Sequence, residues 1–481
     1  MAAEKSYIIV GAGIFGVSTA YHLIQKHPDA SVTLVDRDAF DADTRVAASW
    51  DWNKVMRADY DDPVYCELAL EALDVFTSDP LWKPHFHQTG IYWMCGRDYA
   101  QQCLDNFRRL GREGDVAVRS VEEARNMFGG LFGASDYTHV EQVLVNMRSG
   151  WVAAGDCLRA VTRRALQLGV KYVAQEVSAL LLDRSGRCAG VTLAEGGDLQ
   201  AGHVVLCTGA YTPKLLELSA ARSGMDGLRA GPRILAGGIT TGMTRLSDDV
   251  YERFADMPVG VQGYTATKAP FVGSLPPTKD RELKWWGQKI FRNTSEVLPG
   301  RFISTPPAER DYAQWTTSEQ LKQDIANVSS VFYGREAARW KLEKHRVCWD
   351  AFTTSSDFII SRHAAAEGLY VATCGSFHGY KFFPVIGRYV VQMLEGALTP
   401  RLAAKWAWDR ERPDPSANPD WPRIEMRDLL DPKCNESLMV NDLVSSQGLG
   451  ILLSGKIAAL ASDAAEVLPT NARRVKGQAF D

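Results

Sequence analysis

A glycine-rich turn near the N-terminus constrains this chain more than any other feature. Tyr7-Ile-Ile-Val10 is a short apolar run of the kind that fills a buried parallel strand. Gly11-Ala-Gly13-Ile-Phe-Gly16 follows, then Val17 to Gln25 with helical potential, then the strand-like Ser31-Val-Thr-Leu-Val35 ending at Asp36. Each piece has a physical task. Gly11 permits a tight turn, Gly13 lets the backbone approach a pyrophosphate, and Gly16 lets the helix lie close on the strand, with Ala20 continuing that small face. Ile14 and Phe15 open the helix, whose first N–H groups and positive dipole end suit phosphate. Asp36, twenty residues beyond Gly16, is placed to accept both ribose hydroxyls and disfavours the extra phosphate of NADP. A lone GxGxxG is weak evidence. Strand, helix, strand and acid at these distances together predict a dinucleotide site, for NAD or FAD, on a Rossmann-like α/β domain.

With 481 residues the chain has room for two or three units of ~100–200 residues each. Lys171-Tyr-Val173, Gly190-Val-Thr-Leu193, His203-Val-Val-Leu206 and Gly368-Leu-Tyr-Val-Ala372 read as further strands. Gly150 to Leu168 reads as a helix with Cys157, Val161 and Leu166 among its apolar positions. Residues 86–145 and 231–345 break this pattern with many aromatics, among them Trp93, Trp285, Trp286, Trp315 and Trp340. The expected organisation is a discontinuous nucleotide domain (1–85, 146–230, 346–430) interleaved with an α+β substrate domain (86–145, 231–345). A C-terminal extension (431–481) follows, with one helix expected within Gly448 to Ala461. An active site at the interface is the natural result of such interleaving.

Composition excludes several classes. Lys plus Arg is 54 against 58 for Asp plus Glu, too balanced for bulk attraction to nucleic acid or an anionic membrane. No apolar run approaches the ~18 residues of a membrane span. The N-terminus does not read as a secretory signal, and the C-terminus is not an SKL-type peroxisomal address, so a cytoplasmic protein is expected. Nine cysteines, scattered without CxxC pairs or His-rich partners, imply neither a disulfide framework nor a metal site.

Several motifs beyond the glycine turn make the sequence familiar: Asp51-Trp-Asn-Lys54, Arg148-Ser-Gly-Trp151, Glu282-Leu-Lys284, Arg346-Val-Cys-Trp349 and Gly375-Ser-Phe-His-Gly-Tyr-Lys381. In this order they resemble the FAD-dependent amine oxidases of the monomeric sarcosine oxidase and fructosyl-amino-acid oxidase (amadoriase) family, with the fungal amadoriase branch nearest. The likeness covers residues 5–430.

The resemblance implies roles residue by residue. Cys348 stands where the family joins a cysteine covalently to the flavin 8α-methyl, an 8α-S-cysteinyl FAD. Lys284 matches the lysine that lies over the flavin and promotes reaction with oxygen, a fixed cation being suited to developing superoxide in a dry site. Lys381 matches the lysine that binds the substrate carboxylate, and it closes a turn in which Gly379 lets backbone approach the flavin. Asn53 and Lys54 fall where the chain passes the flavin. Arg57 aligns with a carboxylate-gripping arginine of sarcosine oxidases that amadoriases do not keep as a rule. The sequence departs from the family pattern at Ser361 (usually aspartate), Tyr380 (usually phenylalanine) and Gln288 (a histidine in sarcosine oxidases). The last departure argues against sarcosine itself as substrate.

The implied function is a flavin oxidase of a secondary amine in an amino acid, N-alkyl or glycated, giving an imine and hydrogen peroxide with oxygen as acceptor. Pipecolate, saccharopine or a biosynthetic N-methyl aromatic amino acid are alternative substrates, and a flavin dehydrogenase with another acceptor is an alternative activity. A small-molecule amino acid and oxygen are the expected partners, with no nucleic acid and no membrane.

Overall fold

In the computed structural model, which describes residues 5–43, 45–265, 272–308 and 317–430, the glycine turn sits at the centre of a six-stranded sheet. The strand order is Ile359–Arg362, Leu369–Thr373, His203–Leu206, Ser6–Val10, Ser31–Asp36, Lys171–Ala174. All neighbours run parallel except the first pair, an antiparallel edge. Ser6–Val10 is buried between strands on both sides, which accounts for its continuous apolar run. Each run read as a strand in the sequence is a strand. The reading of Gly150 to Leu168 as one helix needs correction: Gly150–Val152 is a strand, and the helix runs Ala154–Gln167. A Cβ on Gly150 would fall 2.0 Å from the carbonyl oxygen of His87, so this short strand exists by a close backbone approach that only glycine permits.

The first helix, Ile14–Lys26, packs against Phe383–Leu394 with little between them. Ser18 Oγ donates to Phe383 O at 2.7 Å and accepts from Gly387 N–H at 2.9 Å. A Cβ on Gly387 would meet Ser18 backbone at 2.1 Å. This contact carries the Gly379–Phe382 turn, which immediately precedes the second helix, to the nucleotide end of the sheet.

A second, nine-stranded sheet has the order Lys344–Phe352, Leu235–Arg245, Glu282–Arg292, Val272–Leu275, Val259–Gln262, Ile91–Cys95, Gln142–Asn146, Ala117–Arg119, with Ile424–Glu425 pairing onto Glu282–Arg292. Sequence placed residues from 346 onward in the nucleotide domain, yet the strand holding Cys348 belongs to this second sheet up to Phe352. Both sheets lie within one compact unit. The back face of the second sheet is covered by the helix Glu319–Tyr333: Leu283 and Trp285 are buried with Ile325 and Phe332, and the Trp285 ring N–H donates to Ile325 O at 2.6 Å. Its opposite face is thereby left to the site. Among the described residues no helix is long and apolar enough to cross a membrane, and no group of three His, Cys, Asp or Glu is placed to hold a metal. Trp315 and the expected helix within 448–461 fall outside the described residues, as does the side chain of Gln288.

Candidate active site

Strand alternation assembles much of the site. On Lys344–Phe352, side chains two apart share a face, and that face carries Arg346 toward Asp51, Cys348 toward Lys54, and Asp350 toward the backbone N–H of Phe377. On Glu282–Arg292, separated from that strand by Leu235–Arg245, Lys284 and Trp286 occupy the face opposite Leu283 and Trp285.

Two cavities open between these faces. The larger, about 350 Å³, runs along the carboxyl end of the six-stranded sheet and is lined by Gly11, Gly13, Ile14, Phe15 and Asp36, with Gly379 and Tyr380 at the far wall. The smaller, about 110 Å³, is lined by Asn53, Arg57, Trp93, Lys284, Trp286 and Lys381. Lys54, Cys348, Phe377 and Tyr380 line both, so the cavities meet at Cys348. Gly16 lines neither. Its part is packing: a Cβ there would sit 1.8 Å from Gly11 O.

The larger cavity fits a dinucleotide. Gly11 holds φ +100°, and a Cβ on it would strike Cys207 O at 2.5 Å. The N-terminus of Ile14–Lys26 has no side-chain cap on Gly13, leaving that end with anion-binding character. Asp36 accepts from Ala12 N–H at 2.6 Å, which fixes its carboxylate at the strand end. Gln175 Oε1 and Thr373 Oγ1 are buried beside the cavity with no protein partner, as a polar ligand would require. Sequence reasoning missed two supports. Arg45, 1% exposed, donates to Ala12 O at 2.8 Å and pairs with Asp36 at 3.5 Å. Ser49 Oγ accepts from Ile14 N–H at 3.0 Å. Neither lies in a motif with a recognisable spacing. Asp350 was also missed; burial pushes its carboxyl up to about 6. It accepts from Phe377 N–H at 2.9 Å, in a turn where Cys374, Ser376 and Phe377 all hold positive φ.

The smaller cavity is a cluster of buried charge. Lys284, 2% exposed, pairs with Asp51 at 2.7 Å and donates to Asn53 O at 3.1 Å. Lys54 pairs with the same carboxylate at 2.8 Å. Burial pushes Lys284 down to about 8 against the opposing pull of Asp51. For Lys54 burial acts in the same direction, but the nearby Asp51 outweighs it and raises its proton affinity. Lys381 donates to His378 O at 2.7 Å, and burial, Arg57 and Lys54 hold its ammonium well below the usual lysine range. Arg57 lies between the rings of Tyr60 (4.2 Å) and Trp93 (4.3 Å) and donates to Asp59 O. Among the described residues neither Arg57 nor Lys381 has a carboxylate within ion-pair distance, and both amide atoms of the fully buried Asn53 lack a partner. His378 faces Tyr60 OH through Nδ1 (3.1 Å) and Ser356 O through Nε2 (2.8 Å). A carbonyl only accepts, so Nε2 carries the proton and Nδ1 accepts from Tyr60.

Asn53 and Lys381 line the smaller cavity, and Lys54 and Cys348 stand where it joins the larger one.

A dinucleotide cavity on a Rossmann-like sheet, joined to a second cavity lined by Lys54, Arg57, Lys284 and Lys381, defines a nucleotide-cofactor oxidoreductase. The chain belongs to the FAD dependent oxidoreductase family, which it matches over residues 6–393. It is 25% identical over 457 residues to L-saccharopine oxidase of Schizosaccharomyces pombe, covering 89% of this chain and 98% of that protein. It is 24% identical over 462 residues to the amino acid oxidase ImqH of Aspergillus flavus, covering 82% of this chain and 93% of that one. Its fold is that of a fructosyl peptide oxidase crystal structure, with TM-score 0.76, 22% identity, and 89% of this chain and 99% of that chain covered. The chain is an FAD-dependent oxidoreductase with the amadoriase fold.

Proposed function

We propose that the chain is an oxidase of a secondary amine in an amino acid, N-alkyl or glycated, that yields an imine and hydrogen peroxide. The observation that carries this reading is the pair of buried basic side chains Arg57 and Lys381, which among the described residues lack a carboxylate partner and line the cavity that meets the larger one at Cys348. A buried cation without a counter-charge is costly, and an amino-acid carboxylate is the matching ligand. The amino acid oxidases among its relatives support the same donor class.

Gly11, Gly13, Ile14 and Phe15 would hold the pyrophosphate, Asp36 the ribose, and Cys348 would tether the ring system through a thioether. Bound FAD supplies a two-electron acceptor for the C–H bond beside the amine nitrogen and passes the electrons to oxygen. Arg57 and Lys381 orient the substrate through its carboxylate, and Lys381, whose proton affinity burial lowers, takes up a proton with the incoming anion. Trp93, Trp286 and Ile239 wall the cavity against water. Lys284 supplies a fixed cation for reduced oxygen, which acts in a water-poor site with little reorganisation.

The test is a peroxide screen in air across sarcosine, N-methyl aromatic amino acids, fructosyl amino acids, pipecolate and saccharopine, each paired with its decarboxylated amine. Peroxide from an acid and not from its amine is the expected result. Flavin reduction by an acid in air without peroxide would instead make the protein a dehydrogenase.

A further inference from the structure

Asp51 stands within a motif but has no assigned task, and the fold gives it an unusual set of neighbours. Its side chain is 1% exposed. Oδ2 lies 2.7 Å from Lys284 Nζ and 2.8 Å from Lys54 Nζ, while Oδ1 is 3.6 Å from Arg346 and accepts from Trp52 N–H at 2.8 Å. The backbone that delivers this carboxylate is pinned on both sides: Gly155 N–H donates to Asp51 O at 2.9 Å and Ala154 N–H to Trp52 O at 3.2 Å. One anion thus serves three cations in a dry site. Without it, three like charges would crowd together, and the most easily deprotonated would shed its proton. An arginine side chain keeps its charge in proteins. Lys54 holds its proton more firmly than an ordinary lysine, whereas Lys284 is pushed down to about 8.

We propose that Asp51 is a positioning residue that seats Lys284 in the wall of the smaller cavity and keeps it charged, with Lys54 acting against it as a like charge. This rests on the reading that Lys284 serves the oxygen step. The charged and titratable groups around Lys284 are Asp51 from the segment before Lys54–Met56, Lys54 at the start of that strand and Arg57 just after it, Arg346 and Cys348 from Lys344–Phe352, and His378, Tyr380 and Lys381 at the Gly379–Phe382 turn. Its cross-strand neighbours Met243 and Leu275 carry no charge.

The electrostatics predict shifts of opposite sign, which a merely structural role does not. Two profiles are measured on holoenzyme against pH: the rate at which reduced protein reacts with oxygen, and the equilibrium affinity for sulfite, an anionic probe read by flavin bleaching without turnover. Both should weaken as Lys284 loses its proton. In Asp51→Asn the midpoint of each should move to lower pH by about one unit or more, the usual effect of losing a neighbouring opposite charge. In Lys54→Met it should move to higher pH. Asp51→Glu, which keeps the charge, should restore the wild-type midpoint. Unmoved midpoints, or shifts of the same sign in the Asn and Met variants, would overturn the proposal. If Asp51→Asn does not fold, the upward shift in Lys54→Met and the midpoint of Asp51→Glu still decide it. Lys284→Met separates the two readings. An unchanged oxygen rate there removes Lys284 from the oxygen step, whereas a slowed rate with unmoved Asp51→Asn midpoints defeats this inference alone.

Discussion

Cys348 Sγ stands 3.7 Å from Lys54 Nζ, at the junction of the two cavities, and Lys54 is itself held by Asp51. The thiol lines both cavities while the residue is only 2% exposed. Covalent flavin is therefore expected. Acid-precipitated protein should stay yellow, and Cys348→Ala should release the colour on denaturation. Colour that leaves wild-type protein under the same treatment would rule out the thioether.

Arg57 and Lys381 approach one ring, that of Tyr60, at 4.2 and 5.5 Å. Losing one cation from a desolvated carboxylate clamp should cost about 2–5 kcal/mol in kcat/KM for the acid, and little for the matching amine. Lys381→Met and Arg57→Met are each compared by the acid-to-amine ratio. An unchanged ratio excludes the mutated residue from the clamp. Burial, Arg57 and Lys54 lower the proton affinity of Lys381, so wild-type affinity for acetate should also fall with rising pH, a trend that Lys381→Met should flatten.

How much of this was readable beforehand depended on the kind of contact. The glycine turn, its strand and Asp36 were legible because each residue type has few alternatives at its position: a Cβ on Gly11 or Gly16 strikes backbone. The strand face that gathers Arg346, Cys348 and Asp350 was half legible, since alternation is local but its direction depends on what covers the back. Trp285 settles that direction by burying itself under Glu319–Tyr333, a helix remote in sequence. Arg45, Ser49 and the role of Asp51 were illegible. Each acts through a partner fixed only by the fold, as in the pairs Asp51–Lys284 and Asp51–Arg346, and no spacing announces such a pair. The second sheet's capture of the Cys348 strand was hidden for the same reason, its pairing partner Leu235–Arg245 lying far back in the chain.

Gly16→Ala should abolish cofactor retention. The new Cβ would sit 1.8 Å from Gly11 O, so the helix must withdraw from the turn that its N-terminus serves. Overpacking of this kind costs about 1–3 kcal/mol or more, and here the displaced atoms belong to the cavity wall. The measurement is the flavin-to-protein ratio after purification, with Gly114→Ala, where a Cβ meets nothing within 4 Å, as the control. Full flavin content in Gly16→Ala would show that the helix can shift without losing the site.

His378 should make the folded state sensitive to acid. Burial and the neighbouring Lys381 push its imidazole down from 6.5 to about 3, so the folded protein refuses a proton that the unfolded chain accepts. Stability from this group is therefore complete above about pH 6.5, falls as the pH drops below it, and stops falling near pH 3, where the folded form also protonates. The slope in that window is at most about 1.4 kcal/mol per pH unit. Protonation would also place a donor on Nδ1, against Tyr60 OH, with Lys381 bonded to the same residue's carbonyl. His378→Gln removes the titration and keeps a polar side chain. It should lower stability near neutral pH, where the two hydrogen bonds of His378 are lost or weakened, yet lose less than wild type on acidification. The check is the urea midpoint of both proteins at several pH values from 6.5 down to about 4, a range inside the window set by the two values. Parallel curves for wild type and variant would mean that His378 is not what makes the fold acid-sensitive.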